Sequence, residues 1–341
     1  MSCHLVSTPK GLGCAFTASE LDAVTAPEGG RARRALPEST RAERTRGLDP
    51  EGAPGVERPA TPPPTRRHTD MPTTTARDIY AATPSGGVQL ASSTDRWHLH
   101  DDHVHLAPHL PADELYRFDA ELKPFLDSPK RGALVVIDMQ NDFCSPGGWT
   151  DASGLDYTAC REAIPGVERA VRAARDHGMW VVWVYWSNRP DLRNLGAPTL
   201  YSFKHEPDQK GIGEALERGR VLIEGTWNAE MVDELKPLIR DEDVRIEKVR
   251  MNGFVGTHLD QVLRTQGIGT LYFAGVNVDQ CVATTMEDAY FRDYNCVLLE
   301  DACATSSPDY CKKSVVFNAK QCWGFSTTTE KFAAAQPVKS A

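Results

Sequence analysis

The chain has no uninterrupted apolar run near the ~18 residues that a membrane span requires. Its N-terminus lacks the apolar core of a secretory signal. None of its nine cysteines forms a C-x-x-C pair. A disulfide framework and a cysteine zinc knuckle are therefore both disfavoured, and reduced thiols are expected. A basic surplus is missing as well: residues 81–341 hold 27 Lys or Arg against 37 Asp or Glu. An acidic surface does not track phosphates, which argues against nucleic acid as a partner. The expectation left standing is a cytoplasmic protein with a small-molecule partner and no membrane contact.

What is present is unevenly spread over the 341 residues. Residues 1–80 carry ten of the 23 prolines, including Pro62-Pro63-Pro64, and only two aromatics, Phe16 and Tyr80. Such a stretch buries too little apolar surface to offset its ordering entropy, so 1–80 reads as a disordered tail. Its arginines suggest a transit peptide, but ten acidic residues count against that. The plainer reading takes Met71 as the true start.

Residues 81–132 form a different segment, an N-terminal arm rich in Trp97, Leu106, Leu115, Phe118 and Phe125. An arm this apolar predicts packing against a core or a neighbouring subunit, and with it a homodimer or homotetramer. It also holds His98, His100, His103, His105 and His109. Their spacing resembles a metal tract, yet short His tracts are compositional hints, and ordinary hydrogen-bonded histidines are the preferred reading.

From 133 to 332 the pattern alternates. Ala133–Asp138 and Met179–Tyr185 are short continuous apolar runs, as expected of strands buried on both faces. Val244–Lys248 alternates; Leu271–Val276, Cys296–Leu299 and Trp323–Phe325 complete six strands. Helices are expected at 163–177, 229–239, 256–266, 281–293 and 308–320. Strands alternating with helices mean an α/β fold, a three-layer αβα sandwich around a mainly parallel six-stranded sheet. The polar excursion at 187–227 reads as a pocket wall, and 333–341 as a flexible C-terminus.

Ligands of such sheets bind beyond the carboxyl ends of the strands. Asp138 ends the first strand, Lys248 ends the third, and Cys281 follows the fourth and opens a helix. An acid, an amine and a thiol at one rim make a nucleophilic constellation. The helix N-terminus and the ammonium are expected to lower the thiol pKa. Taken singly, Cys281 could be a small buried filler, Lys248 an exposed strand-end charge and Asp138 a helix cap. Asn141, Phe143, Trp186, Asn188, Trp227 and Phe254 are the candidate substrate-binding residues, whereas Trp180 and Trp183 read as core.

Four ordered motifs carry a resemblance. They are Val136-Ile-Asp-Met-Gln-Asn-Asp-Phe143 with Pro146-Gly-Gly148, Lys248-Val-Arg-Met-Asn-Gly-Phe254 with Thr257, Gly275-Val-Asn-Val-Asp-Gln-Cys-Val282, and Leu299-Glu-Asp-Ala302. The 33-residue step from Lys248 to Cys281 fits too. The stretch resembles the isochorismatase-like cysteine hydrolase family, nearest in appearance to ureidoacrylate amidohydrolases and to hydrolases of biuret and N-carbamoyl compounds. The resemblance implies an isochorismatase-like fold, an Asp138–Lys248–Cys281 triad and no cofactor. It implies a cis peptide at Val276–Asn277, and an oxyanion hole from the N–H groups of Asn277 and Cys281. Nicotinamidases of the family carry an Asp-x-His-x-x-His metal site, and Tyr185–Asp191 has no histidine, so no metal is expected. The implied activity is C–N bond hydrolysis of a small ureido, carbamoyl or amide compound through a cysteine thioester. The alternatives are cleavage of another small substrate, such as an isochorismate-like vinyl ether, and a catalytically idle interaction scaffold.

Overall fold

The computed structural model describes residues 6–8, 11–13, 79–91 and 96–339. The reading of 1–80 as a disordered tail therefore falls almost wholly outside the described residues, as do Ser340 and Ala341. Within the unit Met1–Thr69, Val6–Thr8 pairs antiparallel with Gly11–Gly13.

The arm, which belongs to the unit Asp70–Ala341, supplies five short strands: β1 (Val88–Ala91), β2 (Arg96–Leu99), β3 (Val104–His105), β4 (Tyr116–Phe118) and β5 (Phe125–Asp127). The central strands follow: β6 (Gly132–Ile137), β7 (Trp180–Trp186), β8 (Val244–Lys248), β9 (Thr270–Gly275), β10 (Asn295–Cys303) and β11 (Gly324–Thr327). A last strand, β12 (Gln336–Pro337), lies in the stretch expected to be a flexible end; it pairs with Tyr116 and Arg117 of β4.

The central sheet runs β8-β7-β6-β9-β10-β11, and every pairing in it is parallel. All residues of β6 and β9 are buried. That explains their unbroken apolar composition, because helices cover both faces of a parallel sheet. Strand β8 is an edge and alternates between buried and exposed positions. Three short helices, α1 (Asn141–Cys144), α2 (Trp149–Ala152) and α3 (Tyr157–Arg161), precede α4 (Ile164–Asp176), which lays Val167, Ala170, Val171 and Ala174 on the sheet. The short α5 (Ala197–Ser202) follows, and the other longer helices are α6 (Leu259–Thr265), α7 (Ala283–Phe291) and α8 (Asp309–Asn318). No helix among the described residues is long and apolar enough to cross a membrane.

The arm closes a second sheet, ordered β12-β4-β5-β3-β2-β1. Val104, Leu106, Phe118 and Phe125 are buried in the same core as the central strands. Phe118 stands 5.7 Å from Tyr272 and 6.2 Å from Phe332, and Phe125 stands 4.7 Å from Phe325. The arm's apolar side is thus covered within its own chain.

One expected helix is absent. Residues 229–239 form two single turns, Trp227–Ala229 and Lys236–Leu238. The backbone there is otherwise engaged: the Val232 N–H donates to Met139 O at 3.0 Å, and Met231 bridges to Gln140. Pro237, lacking an N–H, breaks the helical ladder as well.

Gly275 ends β9 with φ +119°, and a Cβ there would stand 2.0 Å from the Ile137 carbonyl oxygen of the neighbouring central strand. Only glycine fits both demands. Gly275→Ala is expected to cost about 3 kcal/mol of stability and to lower Tm by about 6–12 °C. Thermal unfolding checks this, and an unchanged Tm would mean that the two strands can part without penalty.

Candidate active site

Three strand ends meet at the carboxyl rim. Asp138 follows β6 and adopts φ +52°, a left-handed conformation that is uncommon for residues other than glycine. Lys248 ends β8, and its Nζ lies 2.7 Å from Asp138 Oδ2 and 3.5 Å from Cys281 Sγ. All three side chains are buried. The ammonium also sits 4.2 Å above the Trp186 ring. The structure thus brings together the three residues that the sequence singles out.

Cys281 does not open the following helix. It lies inside a wide π-type turn, Val278–Val282, that precedes α7. Its thiol is not acidified either, against expectation. Burial pushes the Cys281 pKa far up and Asp138 adds to the rise, whereas Lys248 pulls the other way and loses. Taking a thiolate out of water costs more here than one ammonium returns. Burial likewise raises the Asp138 carboxyl above its ordinary value, against the pull of Lys248. Both shifts run the same way: burial makes each group hold its proton more tightly than it would in water.

The Val276–Asn277 peptide is cis. The N–H groups on either side are occupied, Val276 by Ile137 O at 3.0 Å and Val278 by Ala304 O at 2.9 Å. Between them, the Asn277 N–H has no backbone partner among the described residues.

Cys281 and Asn277 open into a cavity of about 400 Å³. Its apolar walls include Phe143, Trp149, Trp186 and Phe203. Phe203 meets Trp186 edge-on, with ring centroids 5.2 Å apart. Of the six candidate substrate-binding residues, only Phe143 and Trp186 line this cavity. The other four are committed to the scaffold. Asn141 Nδ2 donates to Trp227 O, and Asn188 Nδ2 donates to Leu222 O. The Trp227 ring lies 3.5 Å under the Arg218 guanidinium. Phe254 is buried beside Tyr294. Reading missed Trp149, Phe203, Gln280 and Ser306. Trp149 directly follows the Pro146-Gly-Gly148 motif, and Phe203 falls in the excursion read as a pocket wall, so both carried a signal.

Two buried polar residues brace the rim. Gln140 Nε2 donates to Trp186 O and Ala229 O, and its Oε1 accepts from the Trp186 N–H. Asp142 accepts from the backbone N–H groups of Trp149 and Leu222 and from Asn228 Nδ2. Burial lifts the Asp142 carboxyl to about 6 even so. Together they hold the 221–229 segment to the end of β6.

The histidines of the arm sit elsewhere. His100 stacks on His103 at 4.4 Å, and His103 pairs with Asp102 at 2.8 Å. Among the described residues, no group of three or more His, Cys, Asp or Glu is placed to hold a metal. A larger cleft of about 920 Å³ includes His98, Arg131, Gly269 and Asp293. It opens at the amino ends of the central strands, away from Cys281.

A family model described as the isochorismatase domain matches residues 132–331. Among solved structures, a cysteine hydrolase from Pseudomonas syringae pv. phaseolicola 1448A is 23% identical with a TM-score of 0.50; the match covers 61% of this chain and 92% of that one. An isochorismatase family protein from Desulfovibrio vulgaris subsp. vulgaris str. Hildenborough is 26% identical with a TM-score of 0.48, over 59% of this chain and 95% of its own. N-carbamoylsarcosine amidase from Thermoplasma acidophilum is 25% identical with a TM-score of 0.44, over 58% and 96%. The first of these likenesses bears on the fold, an α/β architecture of the isochorismatase-like hydrolase type.

Proposed function

The chain belongs to the isochorismatase hydrolase family, and from that premise we propose that it hydrolyses a C–N bond of a small ureido, carbamoyl or amide compound through a thioester on Cys281. The observation that carries this reading is the buried contact set of Lys248 Nζ, 2.7 Å from Asp138 and 3.5 Å from the Cys281 sulfur. Asp138 takes the thiol proton as the sulfur attacks the carbonyl carbon. Coupling the two events avoids a free buried thiolate, which the site disfavours. The negative charge that develops on the carbonyl oxygen is met by the unoccupied N–H of Asn277, with that of Cys281. One such donor contributes roughly 3 kcal/mol in comparable enzymes.

Asp138 then passes its proton to the departing nitrogen, and ammonia or an amine leaves. Water gives a proton to Asp138 and adds to the thioester carbonyl. The C–S bond breaks, and the sulfur recovers its proton. Lys248 holds Asp138 in place and favours its ionised form whenever the carboxyl has given up its proton. No step requires a cofactor. The motif likeness makes ureidoacrylate-type compounds the first substrates to try. Every described cysteine is a free thiol, which fits a reducing, cytoplasmic setting.

The test is ammonia release from ureidoacrylate analogues, biuret, N-carbamoyl amino acids and nicotinamide, with intact-mass detection of an acylated Cys281 after acid quench. Release from a ureido or carbamoyl compound, with adduct on Cys281, is expected. Because Asp138 must be ionised and burial raises its carboxyl, kcat/KM is expected to fall on the acid side at a pH above the ordinary carboxylate value of about 4. Turnover without any Cys281 adduct would sink the covalent mechanism.

A further inference from the structure

We propose that the side chain of Asn277 is a specificity-determining hydrogen-bond donor, which reads a second acceptor oxygen on the substrate beside the scissile carbonyl, and that Cys160 and Ser306 hold it in that orientation. The proposal rests on the hydrolytic reading of this cavity and concerns the side chain of Asn277, not its backbone N–H.

Asn277 is only 7% exposed and borders the cavity together with Cys281, Gln280 and Ser306. Its Oδ1 accepts from the Ser306 N–H at 3.1 Å and from the Cys160 thiol at 3.3 Å. A backbone N–H can only donate, so the atom facing Ser306 must be the amide oxygen. The opposite end, Nδ2, carries two N–H bonds and has no hydrogen-bond partner among the described residues. Nδ2 is not among the sealed side-chain atoms that lack a partner, so the cavity that Asn277 borders reaches it. A ligand oxygen entering that cavity can accept from it.

Both partners are themselves fixed. Thr305 Oγ1 donates to Asp279 Oδ1, and the Val278 N–H donates to Ala304 O. These bonds tie the 304–306 segment to the turn that carries the nucleophile. Cys160 is buried, and its pKa is pushed up to about 12, so its thiol stays protonated and donating at neutral pH.

The rest of the lining agrees. It contains no Asp or Glu, but it holds Gln209, Gln280 and Lys210. A wall of donors without carboxylates suits a ligand rich in acceptor oxygens and offers nothing to a cationic amide. The chemical class is thus an amide or urea with a further carbonyl or carboxylate oxygen close to the bond that breaks.

The experiment measures binding by calorimetry in a chain carrying Cys281→Ala, so that nothing turns over. The probes are biuret and N-ethylurea, which share a ureido head, whereas only biuret has the distal carbonyl. Biuret is expected to bind at least tenfold tighter. Asn277→Asp keeps the acceptor for Ser306 and Cys160 but replaces the donor, and should shrink the preference to under twofold. Biuret is neutral, so charge repulsion does not confound the result. Cys160→Ala should reduce the preference in part, and Cys160→Ser should restore it, a rescue that a purely structural role would not give. Equal binding of the two probes, binding of neither, or a preference that survives Asn277→Asp overturns the proposal. Ammonia release from biuret by the unsubstituted chain is scored separately. Selective binding without release would overturn the reaction while supporting the role of Asn277.

Discussion

Cys281→Ala is expected to lower turnover by about a thousandfold or more while leaving the fold in place. Removing the nucleophile of a catalytic set costs rates of this order, and what survives reflects positioning and oxyanion binding alone. The substitution deletes one buried atom and leaves the 2.7 Å Asp138–Lys248 pair intact. Thermal unfolding should therefore move by only a few degrees, and substrate should still bind. Cys281→Ser should be almost as inactive, because a buried hydroxyl surrenders its proton less readily than a thiol. Steady-state ammonia release checks both variants. A Cys281→Ala chain within tenfold of the unsubstituted rate would remove the thioester from the mechanism.

The second large effect is expected from Lys248→Met, which changes stability and activity together. Lys248 and Asp138 are both fully buried. Breaking such a pair leaves one charge without compensation and typically costs about 3–5 kcal/mol. The abandoned Asp138 escapes most of that cost by holding a proton. Its carboxyl, already raised by burial with Lys248 present, rises further once the ammonium is gone. A carboxyl whose folded pKa exceeds its unfolded pKa favours folding while protonated. That contribution is complete below the unfolded value near 4 and declines as pH rises toward the folded pKa. The Lys248→Met chain should accordingly lose more stability at pH 8 than at pH 5. Its activity should be low at neutral pH and recover in part as the medium turns alkaline and Asp138 ionises. Thermal unfolding at the two pH values and a pH–rate profile decide the matter. A variant equally destabilised at both, with an unmoved acid limb, would show that Asp138 does not answer to Lys248.

The meeting of Asp138, Lys248 and Cys281 was readable because each follows a strand that emerges at one rim of the sheet. Strands buried on both faces print as continuous apolar runs, so the ends of β6 and β9 could be found from the sequence, and the alternation of β8 marked Lys248 as its last residue. Proton affinity was not readable. It depends on depth, and the burial that raises Cys281 arises from chain segments far apart in sequence. The 229–239 stretch misled for a similar reason. Met231, Val232, Leu235 and Leu238 recur at helical spacing, but the backbone is claimed by Met139 and Gln140 from across the fold. Asn141 and Asn188 carry the right chemistry for substrate binding, yet their amides serve carbonyls 86 and 34 residues away. Asn277 is the converse case. It entered through its backbone, and only the bonds from Ser306 and Cys160 reveal which end of its side chain is free.

The arm imposes an order on biosynthesis. Trp97, Phe118 and Phe125 leave the ribosome early, but the rings that cover them, Tyr272, Phe325 and Phe332, are made some 150–230 residues later. At about 5–20 residues per second, the arm's aromatic side waits on the order of ten seconds or more for its cover. Its sheet closes last of all, when Gln336–Pro337 arrive beside Tyr116 and Arg117. A nascent chain stalled anywhere between Phe125 and Tyr272 would thus expose the same aromatic surface, whichever codon caused the pause.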